Sequence, residues 1–370
     1  MSKPSFAMHD GIYLLNHSVG RPPLGSLDSI NLGFFEPWEN GDAEVWPQWL
    51  AQIDNFRTTL GTLLNARMED LCPQVNLSSA LCKIIHSLPR KKDKNVILIS
   101  EQDFPSMGFV VSQAQAAGFE PRIMPVNPNS TALDLWDEQL SDDVFCALIT
   151  EVFSNTGERQ PVAEISRLCL ERGIFSVVDI CQSVGVLPID LHEWDADFVL
   201  GSCVKWLCGG PGAGYLWANP DTAQQCQPVD VGWFSHADPF EFDIHNFRYA
   251  DGAQRFWGGT PSVIPYVLAA NSITQLNHLG IDKIREHNIE LTEQLITGLA
   301  PETLITPAQP SARGGTLVLN FGARQPKIVE RLTSEKVRFD VRATGLRLSP
   351  HIYNCAKEMD IVLKCLQTTQ

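Results

Sequence analysis

Two segments of this chain place groups that could do chemistry: Ser176-Val177-Val178-Asp179, which ends in a carboxylate, and Asp197-Phe198-Val199-Leu200, which leads to the amine of Lys205. Both runs have the β-branched and aromatic character of buried strands, and open parallel sheets present their ligand crevice just beyond the strands' carboxyl ends. Asp179 and Lys205 are therefore expected together at one sheet edge. A lysine amine forms a Schiff base with an aldehyde, and a carboxylate keeps a pyridine nitrogen protonated so that the ring can accept electrons. The pair thus predicts a site for pyridoxal 5'-phosphate (PLP), with Lys205 and Asp179 in the catalytic roles.

The elements that must position this pair follow an α/β pattern. Short apolar runs at 96–100, 121–126, 144–152, 174–179, 198–201 and 213–217 alternate with helical stretches, which predicts a mainly parallel sheet between helices. In 162–172, Val162, Ile165, Leu168 and Cys169 share one helical face, and Gly173 closes the helix. A long helical region at 262–299, entered through Gly258-Gly259-Thr260-Pro261, is expected to bridge to a smaller α+β C-terminal domain. The expected domains are an irregular N-terminal segment at 1–50, a large cofactor-binding domain at 51–261, and the bridging helix with the small domain at 262–370.

Composition narrows the partners. The chain has 370 residues, 44% hydrophobic and 19% charged, which is globular composition with enough material for two ordinary cores. A formal charge of -15 disfavours nucleic acid and anionic membrane, both of which need a concentrated basic face. The start lacks the apolar core of a secretory signal and no window reaches the length of a membrane span, so a cytoplasmic protein is expected. Ten cysteines without a Cys-x-x-Cys pair are expected to be buried free thiols, and no metal is expected. Gly209, Gly210, Gly212 and Gly214 lack a following Gly-Lys-Ser/Thr, so a nucleotide phosphate loop is not supported; they are expected to let the chain turn tightly.

The spacing of Asp179 and Lys205, the Gly209-Gly210-Pro211-Gly212 after the lysine, Gly232-Trp233-Phe234-Ser235-His236 and Trp257-Gly258-Gly259-Thr260-Pro261-Ser262 together resemble the class V aminotransferase family, and within it most closely the kynureninase branch. The resemblance runs from Asn16-His17 to Arg347-Leu348-Ser349-Pro350-His351. It implies the fold type I architecture of PLP-dependent transferases, a homodimer with shared sites, and an α-amino acid substrate. Residue by residue, it implies that Phe104 stacks on the cofactor ring and that Ser78 and Ser79, at a helix N-terminus, cradle the phosphate. Ser202, Trp233 and Thr260 match further phosphate contacts, Thr260 from the other subunit. Arg347 matches the arginine that grips the substrate α-carboxylate, for which a planar guanidinium with parallel donors is suited. Asn155, in Ser154-Asn155-Thr156-Gly157, is a candidate for the substrate edge and equally for a turn.

Three positions depart from the kynureninase pattern. Val204 stands where that branch has a tyrosine, Met107 where it has an acidic residue, and Gln182 where histidine is common; a glutamine there resembles the cysteine desulfurase branch, in which it bonds the cofactor phenolic oxygen. Desulfurases also need a nucleophilic cysteine ahead of the carboxylate-binding arginine, and no cysteine lies between Cys226 and Cys355. The expectation is a kynureninase-like hydrolase that cleaves a β-keto side chain, with an aminotransferase as the alternative. A desulfurase, or a PLP-binding regulatory protein with weak catalysis, ranks lower.

Overall fold

The computed structural model describes residues 6–41, 44–127 and 131–367. In chain order its strands are β1 (Ile12–Tyr13), β2 (Leu71–Gln74), β3 (Val96–Ser100), β4 (Glu120–Met124), β5 (Val144–Thr150), β6 (Phe175–Asp179), β7 (Phe198–Ser202), β8 (Gly214–Ala218), β9 (Leu317–Leu319), β10 (Val337–Arg338), β11 (Asp340–Arg342) and β12 (Gly345–Leu348). Strands β2 to β8 form one sheet in the order β2-β8-β7-β6-β5-β3-β4. Every neighbouring pair is parallel except those made by β8, which runs against both β7 and β2.

The central strands are buried on both faces, as their unbroken apolar runs require: all seven residues of β5 and all five of β3 and β6 are shielded. One face packs against helices at Trp46–Leu64, Val162–Glu171 and Ile264–Leu279, the other against Leu77–Ser87 and Pro105–Gln113. A separate small core joins β9, β12, the helices Gln325–Ser334 and Ala356–Leu366, and the start of the chain. This is the α/β large domain with a smaller α+β C-terminal domain of fold type I PLP enzymes. No helix among the described residues is long and apolar enough to cross a membrane.

Several boundaries differ from expectation for physical reasons. The opening 50 residues are not uniformly irregular: helix spans Ser26 to Asn40, with a wider π turn at Asn31–Phe35, and a further helix begins at Trp46. Ile12 and Tyr13 pair in parallel with Val337 and Arg338, which ties the start of the chain into the small domain. The bridging region is two helices, Ile264–Leu279 and Ile281–Thr297, divided at Gly280, whose φ of 84° a side chain would oppose. The proline in the first helix turn is Pro265, not Pro261. β2 escaped notice because it is four residues long and contains Pro73, tolerated since β2 lies at the sheet edge.

Candidate active site

Parallel pairing brings the ends of β3, β5, β6 and β7 to one edge, so that Ser100, Thr150, Asp179 and Ser202 are the final residues of neighbouring strands. Thr150 is in register with Asp179. A cavity of about 330 Å³ opens there, and its wall includes Ser78, Phe104, Asp179, Gln182, Ser202, Lys205 and Arg347. Seven of the residues singled out in the sequence therefore meet in one place.

Asp179 is 5% exposed, and its Oδ1 accepts the Cys181 N–H at 2.8 Å. Burial pushes its carboxyl pKa up, while the Lys205 charge works in the opposite sense. Lys205 follows β7 on a turn, and Gly210 and Gly212, at φ of 72° and 94°, let the chain bend back toward β8. Its Nζ lies 5.8 Å from the centre of the Phe104 ring and has no hydrogen-bond partner among the described residues. Phe104 immediately precedes the helix Pro105–Gln113, with proline at the first helical position. Asp103 anchors that ring-bearing loop by accepting the Ser100 N–H at 2.8 Å, and burial raises its pKa to about 7.

At the other wall, Ser78 lies in the first turn of the helix Leu77–Ser87. The cap is Asn76, whose Oδ1 accepts the Ser79 N–H at 2.9 Å; Ser79 is exposed and outside the cavity. Gln182 faces the cavity while its side chain is held at both ends, Nε2 donating to the His17 carbonyl at 3.1 Å and Oε1 accepting from Trp206 Nε1 at 3.4 Å. Val204 and Met107 also line the cavity, so the departures noted in the sequence fall within the site.

Arg347, only 3% exposed in its side chain, comes from β12 of the small domain. Its Nη1 donates to the Ser154 carbonyl at 2.9 Å, its Nε to Asp340 Oδ1 at 2.8 Å, and its Nη2 to Asp340 Oδ2. One N–H on each terminal nitrogen is left for a carboxylate. Burial works against the Asp340 charge, but the bonds from Arg347 and from His17 prevail and hold its carboxyl far below the usual range. His17 Nε2 lies 3.0 Å from Asp340 Oδ1 and its Nδ1 2.5 Å from Ser349 Oγ. This support escaped sequence reasoning: Asp340 carries no motif of its own, and His17 is 323 residues away from it.

Asn155, Trp233 and Thr260 do not line this cavity within one chain. The neighbour of Asn155, Ser154, contributes its carbonyl instead. Trp233 packs among Trp46, Phe234 and Phe240, and Thr260 is exposed.

The fold and the site together define a fold type I PLP-dependent enzyme. An unengaged lysine amine, a buried carboxylate beside it and an aromatic face form a donor set that fits PLP, with Lys205, Asp179, Phe104, Ser78 and Ser202 as the residues that would hold it. The chain belongs to the class-V aminotransferase family, whose profile matches residues 43–362. It is 27% identical over 315 residues to an uncharacterized aminotransferase, YcbU, of Bacillus subtilis, covering 85% of this chain and 83% of that protein. It is 29% identical over 319 residues to a kynureninase of Deinococcus radiodurans, covering 82% of this chain and 76% of that one. Among solved structures, a cysteine desulfurase from Thermococcus onnurineus shares the fold with a TM-score of 0.83 at 17% identity, over 97% of this chain and 94% of that one.

Proposed function

We propose that this PLP-dependent enzyme cleaves the side chain of a β-keto α-amino acid by a kynureninase-like hydrolysis. The carrying observation is that Lys205, Asp179 and Arg347 line one cavity, the amine and acid from the large domain and the arginine from the small one. Arg347 binds and orients the α-carboxylate through its terminal N–H groups, while Asp340 and the Ser154 carbonyl keep the guanidinium from swinging away. PLP, when bound, supplies an electron sink for the pair left at Cα. Lys205 Nζ would be the group that accepts the Cα proton and returns a proton to Cβ. Asp179, buried in the cavity wall, would hold the pyridine nitrogen protonated. In the overall reaction water adds to the side-chain carbonyl, the Cβ–Cγ bond breaks, and a carboxylic acid and alanine leave.

A second reading, transamination, is favoured by one specific feature. Val204 lines the cavity next to Lys205 and offers no hydroxyl for the hydrolytic steps. Supplying L-kynurenine with and without a keto acid separates the two. Release of anthranilate and alanine without a keto acid supports hydrolysis; turnover that requires the keto acid replaces it with transamination.

Two chains are proposed to pair and share their sites. Thr260 is exposed and outside its own cavity, and the apolar Phe242 and Ile244, at 74% and 90% exposure, have the character of a surface awaiting cover. Mass measurement in solution tests this: a stable monomer with full cofactor binding would contradict shared sites.

A further inference from the structure

β11 and β12 pair in antiparallel register, with Asp340 opposite Arg347 and Arg342 opposite Gly345. Because side chains alternate along a strand, Asp340 and Arg342 share a face, and Arg347 joins them from across the hairpin. Leu346 and Leu348 point the other way, fully buried in the small core. Arg342 and Arg347 consequently both line the active cavity.

The two arginines are engaged differently. Arg347 is buried and takes both oxygens of Asp340. Arg342 is half exposed and reaches the same carboxylate only through Nε, at 3.3 Å from Oδ2. Its two terminal nitrogens have no hydrogen-bond partner among the described residues. His17 also faces Asp340, so one carboxylate is shared among three basic side chains. Lys205, Arg342 and Arg347 line the cavity, against Asp179 as the one acidic residue in its described wall. A substrate α-carboxylate at Arg347 leaves the terminal fork of Arg342 unsatisfied.

We infer that Arg342 is a specificity-determining residue that binds a second anionic group on the substrate, so that the preferred substrate is an amino acid with an acidic side chain. The inference rests on Arg347 as the α-carboxylate clamp and holds for either reaction at the site. The planar guanidinium can present two parallel donors to a carboxylate. Half exposed where Arg347 is buried, the Arg342 guanidinium would receive a group on the solvent side of the α-carboxylate. In the hydrolytic reaction the acidic group belongs to the acyl fragment, and a neutral aryl ketone such as L-kynurenine binds less tightly than an acidic counterpart.

The test uses the holoenzyme and follows the cofactor absorbance during titration with L-aspartate, L-asparagine, L-glutamate and L-glutamine. At least one acid should bind about tenfold tighter than its amide, a preference that shrinks at high salt because Arg342 is half exposed. R342A and R342Q should bring that ratio close to one by weakening acid binding far more than amide binding, and R347A should weaken acid and amide alike. Equal binding of acid and amide by the wild type in both pairs, absence of binding by all four, or an equal loss for acid and amide in R342A would overturn the inference. None of these results bears on whether L-kynurenine yields anthranilate, so the assignment of the reaction stands or falls separately.

Discussion

Lys205 Nζ stands 5.8 Å from the centre of the Phe104 ring, with Asp179 buried in the same cavity wall. Phe104 is 44% exposed and lines the cavity, so it is accessible to a flat partner. Phe104→Ala should therefore weaken PLP binding by about 2- to 10-fold, the range expected for one aromatic stacking contact. Equilibrium dialysis of the apoprotein against PLP measures this. Unchanged affinity would remove Phe104 from the cofactor site.

Gly20 supports the lysine from behind. Its N–H donates to the Val204 carbonyl at 2.8 Å, and a methyl group added there would overlap the Lys205 carbonyl oxygen and Cys208 Sγ. Gly20→Ala must shift the lysine loop or distort the surrounding core, at a cost of about 1–3 kcal/mol. A lower melting temperature together with reduced PLP uptake is expected. A variant with wild-type stability and uptake would show that the loop yields freely.

His351 makes stability depend on pH. The ring is fully buried, its Nε2–H donates to the Trp206 carbonyl at 3.0 Å, and its Nδ1 accepts the Ile352 N–H at 2.7 Å. Both nitrogens are thus satisfied in the neutral form, and burial lowers the pKa from 6.5 to about 4. Between 6.5 and about 4 the unfolded chain binds the extra proton and the folded one does not. The stability contributed by this histidine is complete above 6.5 and is lost as pH falls toward 4, by up to roughly 3 kcal/mol. Urea unfolding at pH 7.5 and pH 5 should show this loss, and His351→Gln should show a smaller one. Equal losses in the two proteins would rule out His351 as its source.

The central parallel strands were legible because burial on both faces imposes unbroken apolar runs, and Asp179 and Lys205 were legible because the strand ends fix where they point. The reversed direction of β8 was not legible: a strand buried on both faces carries the same pattern either way. Asn76, rather than a serine, caps the helix Leu77–Ser87, a choice between adjacent cap-forming residues that local sequence leaves open. The clustering of His17, Asp340, Arg342 and Arg347 depends on the first strand docking beside the last hairpin, a contact between opposite ends of the chain. Trp233 and Thr260 were expected only through resemblance, and neither lines the cavity of its own chain.

The measurement that bears most directly on the site is borohydride reduction of the PLP-loaded protein followed by peptide mass mapping. The cofactor mass should appear on the peptide containing Lys205 and on no other, and Lys205→Ala should bind PLP without retaining it after reduction and denaturation, with turnover reduced at least about 100-fold. Covalent retention at another lysine, or undiminished multiple turnover by Lys205→Ala, would contradict the account.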